Sequence, residues 1–174
     1  MRKTTKRICL EAMGIALYVV LALCLQVPVF ENYYLCLGYV SMMVFSYYFG
    51  AVSGSLVGTL GVILYCLLTN GLRGMPGWAA GNLVIGLMVG GTCSATKHMS
   101  NQLLRGICIA AAVVISTAIG ILGVKSVVEV ILYAQPMVVR MAKNIYAFAA
   151  DVGILIISIP ICTCLKKTVE KVAV

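Results

Sequence analysis

The acids, amides and aromatics that could do chemistry in this chain are few, and they sit in apolar surroundings. Asp151 lies inside "NIYAFAADVGILIISIP". A carboxylate in such a stretch is costly and marks a functional site by default. Asn144 stands seven residues earlier, two helical turns away, so the two share one helix face. Trp78 and Asn82 repeat the pattern at i and i+4, again on one face. An amide in line with an aromatic or an acid at two helix ends suits a flat heterocycle, stacked on one side and hydrogen-bonded around its edge. No enzyme constellation accompanies these residues. The one histidine, His98, sits beside Lys97 in "TKHMSNQ" and is read as solvated. No His/Glu pair has metal-ligand spacing, and no Gly-Lys-Ser/Thr loop could cradle phosphates. No catalytic residue, metal or cofactor is expected, and the chain is not expected to hydrolyse a nucleotide alone.

Composition supplies the setting. The 174 residues are 62% hydrophobic and 10% charged, with a mean hydropathy of +1.07. A soluble domain carries about 25% charged residues, so the chain is read as a polytopic membrane protein. A net charge of +8 would suggest nucleic acid in a soluble protein. Here the basic residues cluster at segment ends, the pattern of membrane topology, and nucleic acid is excluded. The expected fold is all-α: a single domain, 1–174, forming a compact bundle of six transmembrane helices. The spans are expected at roughly 8–29, 35–50, 51–69, 78–95, 106–124 and 144–165. The segment 125–143 is expected as an external loop, helical or re-entrant, because Glu129, Gln135 and Pro136 break its apolar run. With both termini cytoplasmic, nine basic residues lie inside (Arg2, Lys3, Lys6, Arg7, Lys97, Arg105, Lys166, Lys167, Lys171) against four outside (Arg73, Lys125, Arg140, Lys143). The start "MRKTTKR" leads into a run too long for a cleavable signal, with Glu11 inside it.

The loops expected outside are "ENYY", "NGLRGMPGW" and 125–143, rich in aromatics, glycines and charges of both signs. Such loops over a compact bundle point to a binding site open to the outside. The candidate binding residues are Tyr33, Tyr34, Arg73, Trp78, Asn82, Arg140, Asn144 and Asp151. Plainer roles compete: an interfacial aromatic belt for Tyr33, Tyr34 and Trp78, an interhelical hydrogen bond for Asn82, and an ion pair of Asp151 with Arg140 or Lys143. In "FGAVSGSLVGTLG", Gly50, Gly54 and Gly58 recur every four residues, with Ala51, Ser55 and Thr59 beside them. Each glycine would cost a soluble helix roughly 1 kcal/mol relative to alanine. In lipid, small residues at this spacing let helices pack backbone to backbone. The eight cysteines lie mostly in or beside apolar spans and are read as packing residues. Near the start of the first span, Glu11 is followed by the small-xxx-small pair Ala12 and Ala16, a face that could accept a helix of another subunit.

The span count, basic amino terminus, Ala12–Ala16 pair and glycine-rich hairpin "LGYVSMMVFSYYFGAVSGSLVGTLG" together resemble the substrate-binding S component of an energy-coupling-factor (ECF) vitamin transporter. So does the last helix, "PMVVRMAKNIYAFAADVGILIISIP". The resemblance covers the whole chain. It implies a multi-pass protein of the bacterial cell membrane that binds a vitamin or related heterocycle from outside. It implies docking, through Ala12 and Ala16, on a transmembrane coupling subunit that carries two cytoplasmic ATPases. Riboflavin, folate, pantothenate, a pyrimidine or a queuosine precursor all fit as cargo. Unlike many relatives, "GVILYCLL" has no acidic residue late in the third helix. The alternative is a non-transporting multi-span scaffold of the rod-shape morphogenesis type.

Overall fold

The computed structural model describes residues 2–24, 27–30, 33–134 and 136–173, and the side chains of 5–24, 35–134 and 136–165. Helix α1 (Arg2–Cys24) leads into a small antiparallel hairpin of β1 (Val27–Phe30) and β2 (Tyr33–Leu35), with Val27 opposite Leu35 and Pro28 opposite Tyr34. Then come α2 (Gly38–Phe49), α3 (Ala51–Leu68) and α4 (Met75–Ala95), and a single 3-10 turn at Thr96–His98. The chain continues through α5 (Gln102–Thr117), a π-helical segment (Ala118–Lys125), α6 (Ser126–Tyr133) and α7 (Met137–Ala173). Among the described residues five helical stretches are long and apolar enough to cross a membrane: Thr5–Cys24, Ala51–Leu68, Met75–His98, Gln102–Tyr133 and Met137–Leu165. The architecture is an all-α polytopic membrane bundle, to which the hairpin is a minor addition.

Three boundaries differ from the sequence-based expectation. The first helix stops at Cys24 rather than near 29, and the extended hairpin takes the residues beyond it. Pro28 lacks the N–H a continuing helix would need. Helix α2 has only 12 residues, about 18 Å of helix against a hydrocarbon core of about 30 Å. The segment 125–143, expected as a helical or re-entrant loop, is helical on both sides of a short break. Helix runs unbroken from Gln102 to Tyr133 and resumes at Met137. The break falls at Ala134, in the left-handed region with φ 49°, and Pro136 prevents a direct continuation. The charges of this segment had suggested a loop. Two of those charges, Lys125 and Glu129, are instead buried, while Val127, Ile131 and Leu132 point outward. A membrane helix with a polar interior face inverts the usual amphipathic pattern.

Helix α2 lies at the centre. Tyr39, Met42 and Met43 are wholly buried and Phe45 nearly so, enclosed by α1, α3, α4 and α7. It turns into α3 through one residue, Gly50, whose φ of +85° is strained for any residue with a Cβ. The glycine stripe of α3 is what admits α2. A Cβ at Gly54 would strike Ser46, and one at Gly58 would strike Met42. The neighbouring stripe faces α4: a Cβ at Gly86 would lie 2.5 Å from Ser55 Cα, and one at Gly90 2.5 Å from Ala51 Cα. At the end where α1 begins, Glu11 accepts from Ser53 of α3 at 2.7 Å and pairs with Arg7 at 3.1 Å. Glu11 therefore ties α1 to α3, while Ala12 and Ala16 remain exposed on its other side with Met13, Leu17 and Val20.

The cysteines divide. All eight are free thiols; Cys36, Cys66, Cys93 and Cys162 are buried, as packing residues should be, whereas Cys9, Cys24 and Cys164 are exposed on the bundle surface. An apolar helix face turned to lipid accommodates a thiol as readily as the core does. His98 is exposed, as a solvated side chain would be.

Backbone cannot swing aside as a flexible side chain can. Gly86→Ala should therefore destabilise the bundle by roughly 1–3 kcal/mol, read as a lower Tm in detergent. Gly91→Ala, with nothing within 4 Å of the added methyl, should leave Tm unchanged or raise it.

Candidate binding site

At the opposite end of the bundle from the first turn of α1, a cavity of about 500 Å³ opens between the α3–α4 loop, the end of α6 and the start of α7. Its lining includes Arg73, Trp78, Lys125, Glu129, Tyr133 and Arg140. The size lies within the usual range for small-molecule sites, roughly 300–1,000 Å³.

Trp78, one turn into α4, is held from two directions. Its ring meets Tyr65 edge to face, with centroids 5.7 Å apart. Its indole N–H donates to the Tyr39 hydroxyl at 2.9 Å. Tyr39 in turn donates to Asn82 Oδ1 at 2.8 Å. The Asn82 amide nitrogen donates to the Tyr18 hydroxyl and to the Gly58 carbonyl, each at 3.2 Å. Cys36 closes the chain by donating to the Tyr18 hydroxyl at 3.5 Å. Asn82 and Tyr39 are wholly buried. Both ends of the Asn82 amide are thus occupied by protein. The amide thus bonds across helices, and it is linked to the cavity through Tyr39 and Trp78.

A second network forms the opposite wall. Helix α7 puts Arg140 and Asn144 one turn apart. Both approach the same oxygen of Glu129: Asn144 Nδ2 at 3.2 Å and Arg140 Nη1 at 3.7 Å. Asn144 Nδ2 also donates to Ser126 at 2.9 Å. Because that nitrogen must face the carboxylate, the amide orientation is fixed by chemistry. Asn144 Oδ1 and Arg140 Nε are left buried without partners among the described residues. Asp151, two turns deeper on α7, is buried beside the Tyr39 hydroxyl, with Lys125 as its neighbouring cation. Lys125 also faces Glu129. The expected ion partners of Asp151, Arg140 and Lys143, are not the ones it has: Arg140 pairs with Glu129, and Lys143 is exposed. Lys125 and Tyr39 join the two networks through Asp151.

Of the candidate residues, Arg73, Trp78 and Arg140 line the cavity. Asn82, Asn144 and Asp151 lie behind its walls as their polar support. Tyr33 and Tyr34 fall in β2, which packs against α7, and their side chains are outside the described residues. Sequence reasoning missed Lys125, Glu129 and Tyr133. Their spacing at i, i+4 and i+8 was the signal, since it places all three on one helix face.

An alanine at Asn82 would take away the Oδ1 acceptor of the buried Tyr39 hydroxyl and the side-chain donor to the Gly58 carbonyl. Asn82→Ala should cost roughly 1–3 kcal/mol of stability, seen as a lower Tm. It should also alter the emission of Trp78, the only tryptophan, by freeing its tyrosine partner.

Comparison with curated proteins gave no match. Comparison with protein families gave one over residues 2–167: ECF-type riboflavin transporter, S component. The match spans nearly the whole chain, and a bundle with a polar cavity at one end is what a substrate-binding transporter subunit needs. The chain belongs to the family of ECF-type riboflavin transporter S components.

Proposed function

We propose that this protein is the high-affinity substrate-binding subunit of an ATP-driven ECF-type importer in the bacterial cell membrane. Its cargo is riboflavin or a closely similar flat heterocycle, taken from outside. The observation that carries the reading is the cavity beside Trp78. An aromatic side chain, fixed by hydrogen bond and ring contact, shares the lining with ammonium, guanidinium and carboxylate groups, with the Asn144 amide behind the carboxylate. Such a site stacks a planar ring and reads its polar edge. The riboflavin named by the family favours that cargo among the vitamins considered. The amino- and carboxyl-terminal ends are cytoplasmic in this reading, with α2 counted as the sixth, shortened span.

Transport needs partners. No phosphate-cradling loop occurs in the sequence, so ATP is hydrolysed by two cytoplasmic ATPase subunits acting through a transmembrane coupling subunit. The exposed stripe of Ala12 and Ala16 on α1 fits the docking of a coupling-subunit helix, because small residues admit close approach. The glycine-packed bundle behind it can move as one body.

Protein purified in detergent from a rich-medium culture, denatured and analysed by mass spectrometry, should release one flavin per chain. Trp78→Ala and Asp151→Ala should release little or none. An empty protein whose Tm no vitamin in a panel raises would overturn the reading.

A further inference from the structure

We infer that the end of the bundle away from the cavity carries a site for the phosphate of an anionic lipid headgroup, with Arg105 as its cation and the ring of Tyr47 as its platform. The site is independent of what the cavity takes.

Arg105 stands in the first turn of α5. Its guanidinium carbon lies 4.4 Å from the centre of the Tyr47 ring, in the last turn of α2. That ring is itself fixed. It meets Tyr48 edge to face, with centroids 5.1 Å apart, and the Tyr48 hydroxyl donates to the Cys162 carbonyl of α7. Arg105 is therefore held at a junction of α2, α5 and α7. No carboxylate lies within ion-pair distance of it among the described residues. Its Nε is buried and donates to nothing among them. The Tyr47 hydroxyl is a neighbour, but a neutral oxygen cancels no charge. An arginine so placed lacks both a counter-charge and an acceptor. Ring contact leaves a guanidinium charged and weakly hydrated, and its planar fork matches two oxygens of a phosphate.

The surroundings select a lipid over a soluble anion. Leu104 and Ile107 on α5, and Ile157 and Ile161 on α7, are exposed on two helices that touch. Acyl chains can lie along them below the headgroup. The α2–α3 turn is also set back from a neighbouring helix end. Glu11 of α1 meets Ser53 just after the turn, while α1 begins more than two turns earlier, at Arg2. A short span draws the bilayer surface down locally, and a headgroup seated over the turn fills the recess beside Arg105. Lys97 and His98 on the adjoining turn are exposed. They add diffuse attraction, without a platform or a buried donor.

Native mass spectrometry of the purified protein in an uncharged detergent, titrated with phosphatidylglycerol or phosphatidylcholine, tests the site. Helical circular dichroism and a cooperative melt report that each variant is folded. One phosphatidylglycerol should bind per chain, about tenfold or more tighter than phosphatidylcholine, and should raise Tm. Arg105→Gln should remove that preference, Arg105→Lys should keep part of it, and Lys97→Gln should leave it in place. Inorganic phosphate should not displace the lipid; displacement would overturn the lipid in favour of a soluble anion. If the two lipids bind alike, or if Arg105→Gln keeps the preference while lowering Tm, Arg105 is a structural residue and the site is overturned. If Lys97→Gln removes the preference as fully as Arg105→Gln, the attraction is diffuse surface charge and the site is equally overturned.

Discussion

Where Gly86 and Gly90 of α4 meet Ser55 and Ala51 of α3, no side chain separates the two backbones. Hydrophobic burial cannot draw helices together in lipid, because lipid is as apolar as leucine. Contact must come from dispersion at short range, and short range requires missing side chains. That approach sets the distance at which Asn82, one turn nearer the cavity end of α4, reaches the Gly58 carbonyl across the interface. With its nitrogen so engaged, its oxygen is left to receive Tyr39, and Tyr39 is left to receive the Trp78 indole. The orientation of the cavity wall thus descends, bond by bond, from glycines well below it.

The other side of α4 uses the same device. Gly81 and Gly120 face each other so closely that a Cβ on either would lie 2.8 Å from the carbonyl oxygen of the other. Nearer the cavity, a Cβ at Gly77 would sit 3.1 Å from the Lys125 carbonyl. Here α5 widens into the π-helical segment that ends at Lys125. An extra residue in a turn shifts the register of the helix beyond it, and that helix carries Glu129 and Tyr133. Without the shift, this line of polar residues would be turned away from α7 and partly towards lipid. A local departure from regular helix is what places the charged wall.

Much of this could be read from residue types. The stripe at Gly50, Gly54 and Gly58 announced close packing, and the structure shows α2 in the space it leaves. Trp78 and Asn82, four apart, do converge, on Tyr39. What stayed hidden had physical causes. Tyr39 sits in a helix buried on all sides, so no periodicity distinguished it from packing residues such as Met42 and Met43. Charges at Lys125 and Glu129 looked like those of a loop because sequence does not say which side of a membrane helix is wet. The partner of Asp151 lies on another helix, and pairing across helices depends on a register that the π-helical segment alters. The hairpin was invisible because Val27–Phe30 continues an apolar run whose end only Pro28 marks.

Four charged residues turned into this bundle, Lys125, Glu129, Arg140 and Asp151, form a connected set with two of each sign. Such a set is poor structural cement. Desolvating ions costs several kcal/mol each, and well-packed apolar side chains in their place are often as stable or more so. Interhelical polar contacts in membranes are also modest in net effect, averaging about 0.6 kcal/mol. Stability alone therefore does not account for charges at the end of a helix pair that glycine contacts already hold together. Binding does. Groups kept dehydrated and oriented before the ligand arrives need no reorganisation when it does, and preorganisation is a main source of affinity in a small site. The tightly packed lower bundle and the polar upper cavity are thus two parts of one design, in which the rigidity of the first keeps the second poised.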